Sequence, residues 1–210
     1  MKEKYTGIDT FSVENIPLYI EAAKNGCVIA FDTETTGFHN HDDIVELGWV
    51  IMENGEVHRA DFTYVKNMSV PLNGTEAQQV NGLTDEFLNV QGRHPEEVYT
   101  KFCRLLESFC HRYNSIVLVA HNLPFDLRMM QSNMERYGTH TLAEVAREDN
   151  IIGCDTRDFV KVLNLPKDVL PDNTLENCTS VFALDAANTH RAIDDTMACM
   201  ELFRFLTKED

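Results

Sequence analysis

The sequence predicts a single α/β domain, in which a mixed β-sheet is flanked by helices. In the second half of the chain, short apolar runs rich in β-branched residues alternate with amphipathic segments, as in strands joined by helical crossovers. In the first half, two strand-like runs are joined by an Asn-Gly turn, which is typical of a β-hairpin. The length of 210 residues suits one domain with a substantial core.

The first half of the chain is predicted to supply one helix and three strands. Ser12–Lys24 is predicted as a helix, with its proline in the first turn. Cys27–Asp32 is a short apolar run and is predicted as a buried strand. Ile44–Met52 and Val57–Val65 are predicted as the two strands of the hairpin.

The second half is predicted to alternate helices with buried strands. Pro95–Tyr113 has apolar residues at three- and four-residue spacing, which predicts a long amphipathic helix. Ile116–Ala120 and Ile151–Asp155 are predicted as buried strands. The remaining predicted helices are Phe125–Tyr137, Arg157–Leu163, Thr174–Phe182 and Arg191–Leu206.

Composition limits the classes of function. No run approaches the ~20 apolar residues of a membrane helix and no apolar segment follows the first residues, so we expect a cytoplasmic protein without a membrane partner. The six cysteines form no Cys-x-x-Cys pair, and we expect buried free thiols. The net charge of −16 disfavours tight, sequence-independent binding to long duplexes. It favours a substrate met at a chain end, or a partner that holds the protein on its substrate.

Acidic residues and histidines follow apolar runs at three separated places. Asp32 and Glu34 lie two residues apart at the end of the first strand, so they point to the same face. Asp126 opens a helix after the second predicted buried strand, whereas His190 and Asp195 stand at the start of the last helix. Ligand sites in open α/β sheets gather where strands end, so we expect these side chains to converge.

Four carboxylates and one imidazole are suited to metal-assisted hydrolysis of a phosphodiester. Carboxylate oxygens are ligands for Mg²⁺ or Mn²⁺, and two such ions ~3.5–4 Å apart activate water and hold the leaving group. Asp32 is predicted to bridge the two ions because it lies on the most rigid element. Glu34, Asp126 and Asp195 would complete the ligand shell directly or through water. His190 is predicted to be the general base.

Each of these residues alone has an ordinary structural explanation. An Asp-x-Glu sequence at a strand end is usually a solvated turn, and His190 alone could cap a helix. Asp194 and Asp195 could form a surface acidic pair. These explanations do not account for the joint occurrence of the segments in this order, with these apolar flanks.

The three segments closely resemble the motifs of the DEDDh 3′–5′ exonucleases, which include the proofreading epsilon-type subunit of bacterial DNA polymerase III. Asp32–Gly37 resembles the family's Asp-x-Glu-Thr-Thr-Gly motif, and Ala120–Asp126 resembles Ala-His-Asn-x-x-Phe-Asp. The third motif, His-x-Ala-x-x-Asp, begins at His190, and its spacing selects Asp195 over Asp194. The resemblance runs from about residue 26 to 206. Residues 1–210 are therefore predicted to be one exonuclease domain with an N-terminal extension, 1–25, that has no clear counterpart.

The resemblance implies a ribonuclease H-like fold, two Mg²⁺ or Mn²⁺ ions, and hydrolysis from a 3′ end that releases nucleoside 5′-monophosphates. It implies that Thr35 receives the terminal nucleotide, and that Leu83, His121 and Asn122 lie near the substrate strand. The family often carries a histidine where this chain has Asn81.

Several readings of the substrate and the reaction stay open at this point. Single-stranded DNA or frayed 3′ ends are the first expectation, with a DNA polymerase as a candidate partner. Trimming of RNA 3′ ends and hydrolysis of small oligonucleotides use the same chemistry. A nucleic-acid-binding module without activity is a further alternative, as is a structural protein that interacts through its acidic surface.

Overall fold

The computed structural model describes residues 6–69, 71–148, 150–186 and 189–208. Within these residues one five-stranded sheet forms, with the strand order β3-β2-β1-β4-β5. The strands are β1 (Cys27–Thr35), β2 (Ile44–Glu53), β3 (Glu56–Tyr64), β4 (Ile116–Ala120) and β5 (Ile151–Asp155). β2 pairs antiparallel with both β1 and β3, and β4 pairs parallel with both β1 and β5. The predicted α/β class with a mixed sheet is confirmed.

Helices cover both faces of this sheet. They are α1 (Ile16–Asn25), α2 (Glu76–Asn81), α3 (Asp85–Gln91), α4 (Pro95–Tyr113), α5 (Leu123–Arg136), α6 (Leu142–Glu148), α7 (Thr156–Val162), α8 (Leu175–Val181) and α9 (Ala192–Leu206). The short helices α2, α3 and α6 are absent from the sequence-based prediction. The first helix begins at Ile16 rather than Ser12, because Ser12 instead caps a 3-10 turn that precedes it. No helix of the described segments is long and apolar enough to cross a membrane.

The sheet is a middle layer between two cores. Ile29 and Phe31 of β1 face the core formed with α4 and α5. Val28 and Ala30 face the opposite core, which includes Phe203 of α9. Because side chains alternate along a strand, the even-numbered residues at the end of β1 continue the face that α9 covers. All six cysteines are buried free thiols, as expected.

The segment before β1 covers the edge strand β5. The backbone N–H of Asp155 donates to the Thr10 carbonyl at 2.7 Å, and the hydroxyl of the fully buried Tyr19 donates to the Gly153 carbonyl at 2.8 Å. A Cβ at Gly153 would lie 2.2 Å from the Asp9 carbonyl oxygen, so glycine permits this close approach. The described part of the predicted extension therefore packs on the sheet; residues 1–5 lie outside the described residues.

Candidate active site

The end of β1 leaves the sheet on one side and stays paired on the other. β4 pairs with β1 only over Val28–Ala30, whereas the pairing with β2 continues to Thr35. Asp32 and Glu34 lie beyond the last residue paired with β4, and both are partly buried. The carboxylates therefore stand where the parallel strands have separated.

Helix α9 begins directly over this strand end. Asp32 is the register partner of Gly48 on β2, and a Cβ at Gly48 would lie 2.6 Å from the backbone carbon of Ala192. Asp195 follows within the first turn of α9. As a result, ligand oxygens of Asp32, Glu34 and Asp195 all lie within 4.8 Å of one another. In the described part of the chain, no other group of three or more metal-ligating side chains meets in this way.

Asp126 lies beside this group but is held differently. It is 2% exposed, and one of its carboxylate oxygens accepts hydrogen bonds from the Thr33 backbone N–H at 3.1 Å and from the Thr33 hydroxyl at 2.7 Å. Asp126 is not one of the three residues whose oxygens share the 4.8 Å cluster. Its charge nevertheless contributes to raising the pKa of Asp32, so it belongs to the same electrostatic site.

The pKa values of these carboxyl groups are raised because they are buried together. Desolvation is the largest cause for Asp32, whose pKa lies well above its usual value, and the charges of Asp126 and Glu34 add to it. Burial, Asp195 and Glu46 raise the pKa of Glu34 to about 8. Burial raises the pKa of Asp126 to about 7 against the lowering effect of the Thr33 hydrogen bonds. A divalent cation would relieve this repulsion, and an all-carboxylate donor set fits Mg²⁺ or Mn²⁺.

His190 stands at the rim of the same cleft. Its backbone has φ of +55°, in the left-handed region, and its side chain is exposed. His190, Asp32 and Asp195 line one cavity of about 320 Å³, and the His190 charge lowers the pKa of Asp195 against the raising effect of burial. The structure therefore brings a solvent-accessible imidazole to the carboxylate cluster.

His121 lines the same cavity, and the next residue, Asn122, is exposed. Both ring nitrogens of His121 are occupied, Nδ1 by the Thr156 hydroxyl at 2.9 Å and Nε2 by the Asn173 carbonyl at 2.8 Å. Burial lowers the His121 pKa to about 4. Asn122 is exposed, with φ of +83°, and its backbone N–H donates to Asp155 at 3.0 Å. His121 is thus a neutral imidazole with both ring nitrogens bonded within the protein, and Asn122 is exposed to solvent.

Thr35 and Leu83 meet through Asn81. The Asn81 side chain donates to the Thr35 carbonyl at 3.4 Å and accepts from the Leu83 backbone N–H at 3.0 Å. Leu83 is 5% exposed and packs in a small core with Val45. The asparagine that replaces the family's frequent histidine therefore ties the loop before α3 to the end of β1.

The sequence does not predict a role in the site for two arginines. Arg191 forms a bidentate ion pair with Glu46, a fully buried residue 145 positions earlier in the chain. Arg157 is exposed, lines the same cavity as His190 and makes no ion pair with another described residue. The signal for Arg157 is its place directly after the strand-end Asp155-Thr156. No local signal links Arg191 to Glu46.

A family model described as an exonuclease (RNase_T) matches residues 29–203. DNA polymerase III subunit epsilon of Treponema pallidum is 28% identical over 176 residues, which cover 83% of this chain and 73% of that protein. A PolC-type DNA polymerase III of Caldanaerobacter subterraneus is 28% identical over 202 residues, or 94% of this chain. This chain spans only 13% of that polymerase.

The solved structures that are similar share the fold at low sequence identity. Escherichia coli Exonuclease I in complex with a dT13 oligonucleotide superposes with a TM-score of 0.71 at 15% identity. The match covers 87% of this chain and 41% of that one. The ribonuclease H-like fold expected from the sequence is confirmed.

Proposed function

The chain belongs to the RNase_T exonuclease family, and from that premise we propose that it is a metal-dependent 3′–5′ exonuclease acting on DNA. It would hydrolyse the terminal phosphodiester bond and release nucleoside 5′-monophosphates. The resemblance to epsilon-type exonucleases is confirmed by the family match and the epsilon relative. The observation that carries the proposal is the convergence of Asp32, Glu34 and Asp195 oxygens within 4.8 Å, next to the buried Asp126.

Asp32, Glu34 and Asp195 would hold two Mg²⁺ or Mn²⁺ ions. Asp126 would contribute through water, since one of its oxygens is already bonded to Thr33. The ions would supply charge neutralisation at the attacked phosphate and at the departing oxygen. His190 would accept the proton of the attacking water, as its accessible position at the rim allows.

The other cleft residues would receive the substrate strand. Thr35 would receive the terminal nucleotide, and Leu83 and Asn122 would lie near the substrate strand. His121 would have a structural role in the cleft, because both its ring nitrogens are bonded to Thr156 and Asn173. The exposed Arg157 would bind a backbone phosphate.

We propose single-stranded DNA or frayed 3′ ends as the substrate, because the epsilon and PolC relatives are DNA polymerase III proteins and the Exonuclease I structure holds a dT13 oligonucleotide. A DNA polymerase is the candidate partner, which would make the chain's activity proofreading. The acidic net charge agrees with a protein that meets chain ends or is held on its substrate by a partner. Cytoplasmic location stays a prediction.

A gel time course with matched 5′-labelled single-stranded DNA and RNA tests this proposal. With Mn²⁺ we expect stepwise shortening of DNA from its 3′ end, faster than RNA, and no cleavage in EDTA. Faster shortening of RNA would replace DNA with the RNA-trimming alternative. Binding of both polymers without any cleavage would overturn the enzyme proposal in favour of a nucleic-acid-binding module.

A further inference from the structure

A row of three side chains crosses the sheet beside the carboxylate cluster. Glu34 on β1 is the register partner of Glu46 on β2, and Glu46 is the partner of Tyr64 on β3. Directly opposed residues of antiparallel strands project from the same face. Glu46 therefore lies next to Glu34, and its charge raises the pKa of both Glu34 and Asp32. Glu46 is itself fully buried.

Arg191 lies over this row and binds two of its members. Its Nε donates to one Glu46 oxygen at 3.0 Å, and its Nη2 donates to the other at 3.1 Å. Nη2 also donates to the Tyr64 hydroxyl, and the guanidinium lies 5.4 Å from the centre of the Tyr64 ring. A planar guanidinium held by two parallel hydrogen bonds and an aromatic ring has little freedom to turn.

Arg191 is also the residue that follows His190, and it occupies the N-cap position of α9 without a capping side-chain hydrogen bond. The His190 imidazole makes no hydrogen bond to any other described residue, so its position depends on its backbone. That backbone is in the left-handed region, with φ of +55°, which a histidine adopts at a cost. On one side Thr189 donates to Asp195 at 3.2 Å. The His190 backbone also hydrogen-bonds to the Asp195 carboxylate, and on the other side of His190 the Arg191 side chain is held by Glu46 and Tyr64.

We propose that Arg191 is a positioning residue, whose fork onto Glu46 holds the His190 backbone so that the imidazole stays over the carboxylate cluster. The inference rests on the proposed function, because it gives His190 its role as general base. Two of the three guanidinium nitrogens of Arg191, Nε and Nη2, are bound to Glu46 and Tyr64, and the role proposed for Arg191 involves no contact with the substrate. Its contribution to the reaction passes through His190.

A role in positioning differs from a role in balancing charge. If Arg191 served only to neutralise the buried Glu46, a lysine would do so equally well. If it served only the fold, its loss would reduce activity whether or not His190 were present. Lysine keeps the charge but is a point donor without the planar fork, and removal of His190 removes the group through which Arg191 is inferred to act.

The test compares kcat and KM of the wild type with those of Arg191→Met, Arg191→Lys, His190→Ala and the double variant His190→Ala/Arg191→Met. Arg204→Met is the matched control, since Arg204 is an exposed arginine of the same helix, paired with Glu201. We expect Arg191→Met to lower kcat by about 10²-fold with little change in KM, the loss typical of a misplaced reacting group. Arg191→Lys should recover only a small part, and Arg204→Met should match the wild type.

In the His190→Ala background, Arg191→Met should cause no further loss, because residues that act as one unit are not additive. The shift of the melting temperature on adding Mn²⁺ should be the same in the wild type and in Arg191→Met. If the unpaired Glu46 prevents Arg191→Met from folding, the double variant Glu46→Gln/Arg191→Met removes the buried charge. This double variant then takes the place of Arg191→Met in every comparison.

Additive losses in the double variant, or full activity of Arg191→Lys, would overturn the positioning role while the proposed function stands. So would unchanged kcat in the folded Arg191→Met protein. A wild-type protein that cleaves neither DNA nor RNA with Mn²⁺ would instead overturn the proposed function, and this inference with it.

Discussion

Asp32 and Gly48 face each other across β1 and β2, and the missing side chain at Gly48 lets α9 begin directly over Asp32. Asp195 reaches Asp32 only because the first turn of α9 lies this close to the sheet. The carboxylate cluster therefore depends on one small residue that carries no functional group.

Gly48→Ala should damage the fold and the cluster together. The added Cβ would lie 2.6 Å from the Ala192 backbone, so α9 must shift, at a cost of about 1–3 kcal/mol typical of overpacking. Urea unfolding measures this loss, and the Mn²⁺-induced rise in melting temperature should shrink. Ala60→Val, on the exposed strand β3, is the control and should change stability by less than about 0.5 kcal/mol. A Gly48→Ala protein with wild-type stability and Mn²⁺ response would refute this dependence.

Asp32→Asn should stabilise the protein in EDTA and remove its response to Mn²⁺. Without a cation, the Asp32 carboxyl is buried among Asp126, Glu34 and Asp195, so a neutral amide relieves repulsion. A gain of about 1 kcal/mol would raise the melting temperature by roughly 2–4 °C for a chain of this size. Thermal unfolding with EDTA and with Mn²⁺ checks both parts. The idea fails if the control Asp158→Asn, at a partly exposed residue of α7 outside the cluster, behaves in the same way, or if Asp32→Asn still responds to Mn²⁺.

Substitution of Asp195 should reduce the cleavage rate much more than substitution of its neighbour Asp194. Asp195 shares the cluster with Asp32, whereas Asp194 accepts a hydrogen bond from the Thr189 hydroxyl. Asp195→Asn should lower cleavage by more than the 10–100-fold typical of a residue that only supports a metal ligand. Asp194→Asn should cost far less. Equal losses in the two initial rates would mean that the third motif is read in the wrong register.

His121→Gln should flatten the pH dependence of stability. Burial lowers the folded-state pKa of His121 to about 4, against about 6.5 in the unfolded chain. Between these values the unfolded state binds the proton, so His121 reduces stability as the pH falls from 6.5 towards 4. The wild type should lose about 2–3 kcal/mol more than His121→Gln over this range, measured by urea unfolding in EDTA. Parallel pH profiles would show that His121 is not held neutral.

Arg157→Met should weaken substrate binding without slowing the chemical step. Arg157 is an exposed cation that lines the same cavity as His190 and Asp195, and a charged hydrogen bond to a phosphate is typically strong. We expect KM to rise about tenfold and kcat to stay within about twofold. Lys161→Met on the same helix is the control, because Lys161 is paired with Asp158. A fall in kcat at constant KM would assign Arg157 a different role.

Most of the sheet follows from local patterns. The bounds of β4, β5 and α4 are those that the sequence predicts. Each element has a single hydrophobic pattern along its length and is flanked by residues that interrupt it. The Asn54-Gly55 turn has φ of +52° and +82°, the backbone that this dipeptide favours in hairpins. β1 extends three residues beyond the predicted end, since pairing with β2 continues past the apolar run.

The missed helices are six or seven residues long, too short for periodicity to show. The residues that cap their N-termini are the sequence feature from which these helices could have been predicted. Thr75 and Thr84 accept hydrogen bonds from Gln78 and Phe87 at the starts of α2 and α3. Thr141 and Glu144 form a reciprocal capping box at the start of α6.

The site, like the fold, has features that the sequence predicts and features that it does not. Asp32, Glu34, Asp126, His190 and Asp195 stand in recognisable motifs, so the sequence predicts that they meet. The Glu46–Arg191 ion pair and the Thr33–Asp126 hydrogen bonds join residues 145 and 93 positions apart. Such contacts depend on where helices pack on the sheet, which no local pattern reports. The roles assigned to the five site residues stay predictions until they are measured.

If this cluster cleaves the 3′-terminal phosphodiester bond, the chemical form of the first released product will show it. A single-stranded oligodeoxynucleotide carrying its label in the 3′-terminal nucleotide is incubated with Mn²⁺ and with either wild-type protein or Asp32→Ala. We expect the wild type to release the label at once as a nucleoside 5′-monophosphate and Asp32→Ala to release none. Release as a free nucleoside or 3′-phosphate, or equal release by both proteins, would contradict it.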